Sequence, residues 1–239
     1  MKAKKKKPVP AKVSVQQAIR REVLAWFWVA LIFLLVNGAV GQARVIPSGS
    51  MQDTLLVGDH LIMSRVGYDA GIPFTNWHVP LWRNPKRLQI VIFRPVIHGE
   101  TSDVIKRVIG LPGETVDVRG GGVWINGSRL NEKYTVGRSE PADPSQYRAG
   151  FAGKNNVFPY TVPANCYFVM GDNRENSLDS RYVGCIPREN IIGTPVMIYM
   201  SIDAPNGWES GEAKERALAY LSALVHPSEI RWRRLFHIF

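Results

Sequence analysis

Lys106 lies in the run Val104-Ile105-Lys106-Arg107-Val108-Ile109-Gly110, which is otherwise composed like a buried strand. A lysine among apolar neighbours loses its proton more readily than one in water and can then act as a base. Upstream, Pro47-Ser48-Gly49-Ser50-Met51 supplies a hydroxyl nucleophile. Downstream, Gly171-Asp172-Asn173-Arg174-Glu175-Asn176-Ser177-Leu178-Asp179-Ser180-Arg181 supplies a dense polar loop able to hold such a base in place. Together the three stretches suggest Ser/Lys hydrolysis.

A serine hydroxyl is a poor nucleophile until a neighbouring base takes its proton. Arg107 cannot serve, because a guanidinium stays charged in proteins. An ordinary lysine, with a pKa of about 10.4, is neutral in only ~0.04% of molecules at pH 7, so Lys106 needs burial. Strand alternation supplies it: Val104, Lys106 and Val108 share one face, while Ile105, Arg107 and Ile109 share the other. Composition alone leaves a second reading open, in which Lys106 reaches water or pairs with a carboxylate. A Ser-His-Asp triad using Asp59-His60 is the alternative base, but the Gly-x-Ser-x-Gly elbow is absent and nothing in the sequence orients His60. His60, His78, His98, His226 and His237 show no ligand spacing, so neither a metal nor any other cofactor is expected.

The elements that must position these residues are short strands. Asp59 to Ser64, Gln89 to Arg94 and Val104 to Ile109 are rich in Val, Ile and Leu and are bounded by turn residues. Val116 to Val118, Val123 to Ile125 and Ser128 to Leu130 read as a meander joined by Gly120-Gly121-Gly122 and Asn126-Gly127, the latter a type I′ hairpin signal. Tyr167 to Met170 and Ile191 to Met200 return to strand composition on either side of the polar loop. Glu212 to Val225 has helical spacing in Ala217, Leu218, Leu221 and Leu224, predicting one short amphipathic helix near the C-terminus. Residues 131–160 are polar and rich in Gly, Pro, Ser and Asp; they read as a variable insertion without chemistry. Cys166 and Cys185 flank the polar loop, and a disulfide and a pair of buried thiols are both open.

The formal net charge of +10 is concentrated in Lys2, Lys4, Lys5, Lys6, Lys7, Lys12, Arg20 and Arg21, ahead of a long apolar run. Without interleaved aromatics or a reader motif, that charge does not point to nucleic acid. The run from Val23 to Val40 is long enough to cross most of a bilayer, and Trp26 and Trp28 suit an interfacial belt. Residues 1–22 then form a basic cytoplasmic tail, 23–41 a single transmembrane anchor, and 42–239 a catalytic domain on the outer side. A cleavable secretory signal ending at Gly41-Gln42-Ala43 is the competing reading, although the run exceeds the 7–15 apolar residues of that class. Residues 74–82 are apolar but broken by Pro80, and residues 230–239 mix Trp232, Leu235, Phe236 and Phe239 with Arg231, Arg233 and Arg234; either segment suits a membrane surface or ordinary packing.

The Ser48-Gly49-Ser50-Met51 box, the stretch from Ile105 to Glu114 and the Gly171 to Arg181 loop, in this order behind an anchor, resemble bacterial type I signal peptidase, the Ser/Lys dyad leader peptidase family. The resemblance covers Ile46 to about Gly193. It implies a mostly β domain of short twisted sheets behind one N-terminal transmembrane helix in the bacterial inner membrane, N-terminus cytoplasmic and catalytic domain periplasmic. It further implies Ser50 as nucleophile, Lys106 as general base, and Ser48 with the Ser50 N–H as oxyanion hole. Ser177 would orient the amine, and Asp179, Arg181 and Asp172 would brace the loop. Ile46, Pro47, Met51, Leu55, Val104 and Ile105 would wall shallow pockets for the small residues at positions −1 and −3 of exported preproteins. The implied partners are those preproteins and membrane lipid.

Two positions depart from the family pattern: Asp53 replaces a common proline, and Leu88-Gln89 replaces a frequent Gly-Asp. Other readings are a specialised relative serving a conjugation or pilus substrate, and an anchored binding module whose Ser/Lys pair is inactive.

Overall fold

The computed structural model describes residues 15–35, 41–71, 78–96, 102–137, 139, 158–204 and 213–239. Helix α1 (Val15–Leu35) is followed by strands β1 (Gln42–Val45), β2 (Asp59–Ser64), β3 (Asp69–Gly71), β4 (His78–Pro80), β5 (Ile90–Phe93), β6 (Val104–Gly110), β7 (Thr115–Arg119), β8 (Gly122–Ile125), β9 (Ser128–Arg129), β10 (Tyr160–Thr161) and β11 (Cys166–Met170). A one-turn helix α2 (Ser180–Val183), β12 (Ile186–Pro187), β13 (Ile191–Ser201) and helix α3 (Ala213–Val225) complete the order. The mostly β architecture agrees with expectation, as do the two strands flanking the polar loop and the helix near the C-terminus.

A seven-stranded sheet runs β1-β2-β13-β5-β6-β11-β12, and a four-stranded sheet runs β10-β7-β8-β9. The long strand β13 pairs with β2 on one side and β5 on the other, its register slipping at Ile191/Gly193, Pro195/Met197 and Ile198/Met200. Such irregularities bend a strand and increase its twist, so the sheet curls around its contents. At Gly193 an added Cβ would lie 2.4 Å from Ser64 O, so only glycine lets β13 approach β2 this closely. The Asn126-Gly127 turn has positive φ at both residues, 50° and 81°, as a type I′ hairpin requires.

Alternation along β6 works as expected and extends across its neighbours. Cross-strand registers place Val91 opposite Lys106, Phe93 opposite Val104 and Val169 opposite Val108. Val91, Phe93, Val108, Tyr167, Val169 and Ile186 form one apolar cluster. Ile105 joins Ile46, Met51, Leu55, Ile90 and Ile92 in a second, and Ile109 joins Phe168 and Met170 in a third. Cys166 and Cys185 are disulfide-bonded, closing the base of the polar loop.

The described residues cover the first part of the expected anchor. Helix α1 begins well before Val23 and carries Arg20, Arg21 and Glu22 in its first half. Its apolar part from Val23 to Leu35 is ~20 Å long at ~1.5 Å per residue, short of a hydrocarbon layer of ~30 Å. Among the described residues no helix is long and apolar enough to cross a membrane. The expected remainder of the span, residues 36–40, lies outside the described residues, as do most of the basic tail, residues 74–77 of the first aromatic segment, and residues 138 and 140–157 of the insertion.

Candidate active site

The chain enters the site through Ser48, whose extended backbone leads into a single 3₁₀ turn, Gly49–Met51. The turn is held from below: Met51 and Leu55 are fully buried in the core, and the Leu55 N–H donates to Met51 O at 2.8 Å. Ser50 is thereby presented upward towards β6. Asp53 follows with φ of 74°, a left-handed conformation closed to proline, whose ring fixes φ near −65°. The departure from the family pattern at this position therefore changes the turn itself.

Lys106 Nζ lies 2.6 Å from Ser50 Oγ. The lysine is buried among Val91, Val104 and Val108, and among the described residues no carboxylate pairs with it. Burial is the main cause that lowers its pKa from 10.5 to about 8; Asp179 and Asp172 pull it back up, and Arg181 pushes it further down. Both carboxylates are already committed to arginines, which limits that upward pull. Ser48 Oγ stands 3.3 Å from Ser50 Oγ. Once the Ser50 proton is directed at the amine, the Ser48 hydroxyl keeps its own proton to donate.

The polar loop closes over this pair. Asp179 accepts from Arg181 Nε at 2.9 Å and from Gly171 N at 3.0 Å, and it caps α2 by accepting from Arg181 N. Burial pushes the Asp179 carboxyl up, but Arg181 and the other donors hold it below its ordinary range. Asp179 and Arg181 are thus brought together in one buried ion pair. Asp172 does not join it. It takes Arg107 in a two-pronged contact, Nε to Oδ1 at 2.8 Å and Nη2 to Oδ2 at 2.6 Å, and accepts from Thr54 Oγ1 at 2.6 Å. The reason lies in β6, which turns Arg107 to the face opposite Lys106, where Asp172 is its nearest counterion.

Ser177 also differs from expectation. Its Oγ is buried beside Gly171 and on the Asp179 carboxyl, which it helps to hold below its ordinary range, rather than on the Lys106 amine. The contacts that do fix the nucleophile come from residues not singled out before. Asn173 N donates to Ser50 O at 3.1 Å, and Asn173 Nδ2 donates to Gly49 O and Gln52 Oε1, each at 3.2 Å. A Cβ at Gly171 would lie 2.5 Å from Ser50 O, so that residue must be glycine for the loop to come this near. Asn173 and Gly171 stood in the motif, but their partner across the fold could not be read from spacing.

The triad alternative fails on geometry. Of the His60 ring nitrogens, Nδ1 lies 3.0 Å from Gly58 O and Nε2 lies 2.7 Å from Tyr220 Oη on α3.

A cleft of about 310 Å³ opens beside Ser50 and Lys106, walled by Phe93, Val104, Val169, Leu178, Val183 and Ile186. Of the six expected wall residues Val104 is among them. Ile46, Met51, Leu55 and Ile105 are buried in the adjoining core instead, where the chain around Ser50 packs against Ile105 on the face of β6 opposite Lys106. Pro47 is half-buried beside Ser48.

A buried lysine in hydrogen-bonding contact with a serine, beside an apolar cleft, is what a Ser/Lys peptidase requires. The comparisons with known proteins point the same way. A family model described as "Signal peptidase, peptidase S26" matches residues 19–200. The chain belongs to this family. A signal peptidase I of Leptolyngbya laminosa is 39% identical over 179 residues, covering 72% of this chain and 75% of its own. One of Pseudomonas fluorescens is 33% identical over 214 residues, covering 76% and 72%. A crystal structure of a signal peptidase I from Enterococcus faecalis V583 is 31% identical and covers 47% of this chain and 97% of that one, with a TM-score of 0.34. As a member of the signal peptidase family, the protein is a serine peptidase that cleaves signal peptides.

Proposed function

We propose that Ser50 and Lys106 are the catalytic pair that removes signal peptides from exported preproteins at the bacterial membrane. The observation that carries the assignment is the 2.6 Å contact between Nζ and Oγ at a lysine whose pKa is about 8. The neutral amine takes the hydroxyl proton as Oγ attacks the scissile carbonyl carbon. Ser48 Oγ and the Ser50 backbone N–H donate to the oxygen as it becomes negative, which is where fixed donors lower the barrier most. The ammonium then returns its proton to the leaving amine, and a water deprotonated by the same lysine opens the acyl ester.

The apolar cleft takes small side chains just before the cut, and a neighbouring strand edge binds the extended substrate through its main chain. Such recognition accepts many sequences with little in common. The anchor is the apolar run that begins in α1. Trp26, Phe27, Trp28, Val29 and Ile32 are all exposed around that helix, the pattern of a helix meant for lipid rather than for a protein core. A tethered enzyme and a bilayer-lodged signal sequence share one thin layer, which raises their effective concentration. In this reading the catalytic domain lies on the outer side, and alkaline extraction of the full-length chain from membranes would sink the anchor.

The central test is preprotein cleavage by detergent-solubilised enzyme across pH. Activity climbs through about pH 8 as Lys106 loses its proton and levels off above. Ser50→Ala, Lys106→Met and Lys106→Arg each abolish cleavage while the fold persists, the last because a guanidinium keeps its charge but offers no usable basicity. Turnover by purified Lys106→Met refutes the base assignment.

A further inference from the structure

The root of the insertion touches the catalytic machinery three times. Tyr134 lays its ring over Arg107, with Cζ 4.0 Å from the ring centroid. The Tyr134 hydroxyl donates to Glu132 Oε1 at 3.0 Å, and Glu132 forms an ion pair with the buried Arg174 of the polar loop. Val136 makes a parallel bridge with Asn173: its N–H donates to Asp172 O and its carbonyl accepts from Arg174 N, both at 2.8 Å. Each of these contacts is one step from a group that holds the nucleophile. Asn173 binds Ser50 O, while Arg107 binds both Asp172 and the Thr54 hydroxyl, in the turn that follows Ser50.

Arg107 shows why the ring matters. The edges of its guanidinium are occupied by Asp172, Leu88 O and Thr54 Oγ1, and one face is covered by Tyr134. A planar cation held on its edges can still tilt, and an aromatic face over it opposes that tilt. Burial, followed by the charge of Glu132, pushes the Tyr134 pKa well above its ordinary value, so its hydroxyl remains a donor over the whole working range.

We propose that Tyr134, backed by Glu132 and Val136, is a positioning residue for the Ser50–Lys106 pair, so that the insertion root sets the geometry of the cut. The inference rests on the assignment of that pair as catalytic. Tyr134 touches no reacting atom, so its loss lowers kcat and leaves KM unchanged.

The test uses full-length enzyme and a preprotein, with kcat, KM and melting temperature measured for each variant. Tyr134→Ala lowers kcat on the order of tenfold, the size expected when one desolvated cation–π contact is lost. Tyr134→Phe, which keeps the ring face, retains most of the wild-type kcat. Tyr134→Leu fills similar space without a π face and falls with Ala; it also serves if Tyr134→Ala fails to fold. Equal kcat for Leu and Phe overturns the proposal, as does a loss that appears in KM alone. Ser50→Ala in the same assay separates the two claims: cleavage by that variant sinks the catalytic pair. Silent Ser50→Ala beside fully active Tyr134 variants sinks this inference alone.

Discussion

Lys106 and Arg107 are adjacent on β6, and each carries one positive charge when protonated, yet strand alternation sends them into opposite settings. Lys106 faces Val91, Val104 and Val108 and meets a neutral hydroxyl. Arg107 faces the other way and receives Asp172, Thr54, Leu88 O and a tyrosine ring. The first arrangement withholds a counterion, so the proton becomes removable. The second supplies one, so the cation becomes a fixed structural post. One strand thus separates a reactive cation from a structural one by a single peptide bond, and the two roles support each other because the post holds the loop and turn that aim Ser50 at the amine.

The largest effect is expected where the post is broken from one side. Asp172→Ala leaves Arg107, almost wholly buried, without its carboxylate, and removing one partner of such a pair typically costs about 3–5 kcal/mol. Denaturant midpoints should fall accordingly, and cleavage should fall with them. Replacing both partners, Arg107→Met with Asp172→Leu, removes the stranded charge and should recover much of the stability, but not the activity, because nothing then ties Thr54 to the loop. Full activity in the double variant would show that the post has no part in aiming the nucleophile.

The same experiment on Lys106 should have the opposite sign. Its pKa is about 8 in the folded chain against an ordinary 10.5, so between these values the unfolded chain holds a proton that the folded chain does not. Stability must therefore rise with pH across that window, and below about pH 8 the native state carries the full penalty of a buried ammonium. From the size of the shift, Lys106→Met should stabilise the fold by about 3 kcal/mol at pH 7, an advantage that fades as pH rises from about 8 to 10.5. Chemical denaturation of both proteins at pH 7 and at pH 10.5 checks it. An inactive variant that is no more stable than the parent at pH 7 would mean that the lysine is solvated or paired after all.

How far these settings could be read beforehand depends on the range of the interaction. The apolar face around Lys106 was legible because a period of two needs only β6 itself. The cleft walls were not, since Phe93, Val169 and Ile186 reach the site through cross-strand register, while Ile46, Met51 and Leu55, nearer to Ser50 in sequence, face the opposite core. Asp172 was read as part of the Asp179–Arg181 brace because it shares their loop, and only the fold shows that Arg107 claims it. Tyr134 lay in a stretch whose polar composition hid it. Its signal was an aromatic residue among charges, which means nothing until Arg107 is known to lie beneath it.

The smallest effect concerns the strained carbonyl that completes the Arg107 setting. Leu88 accepts from Arg107 Nη1 at 2.8 Å and does so with φ of 65°, a left-handed conformation in which a side chain is crowded and glycine is not. The glycine frequent at this position in the family meets that backbone requirement directly, whereas leucine meets the requirement under strain and offsets it by packing against the cluster around Ile109 and Phe168. Leu88→Ala loses the packing and keeps the strain; Leu88→Gly loses the packing and relieves it. The glycine variant should therefore be more stable than the alanine variant by about 1 kcal/mol, the reverse of the usual order, since the left-handed region costs a side chain roughly that much. Melting curves of the two variants decide it. An alanine variant at least as stable as the glycine one would mean that the turn relaxes out of the left-handed region, and Arg107 would then lose the carbonyl that fixes one edge of its guanidinium.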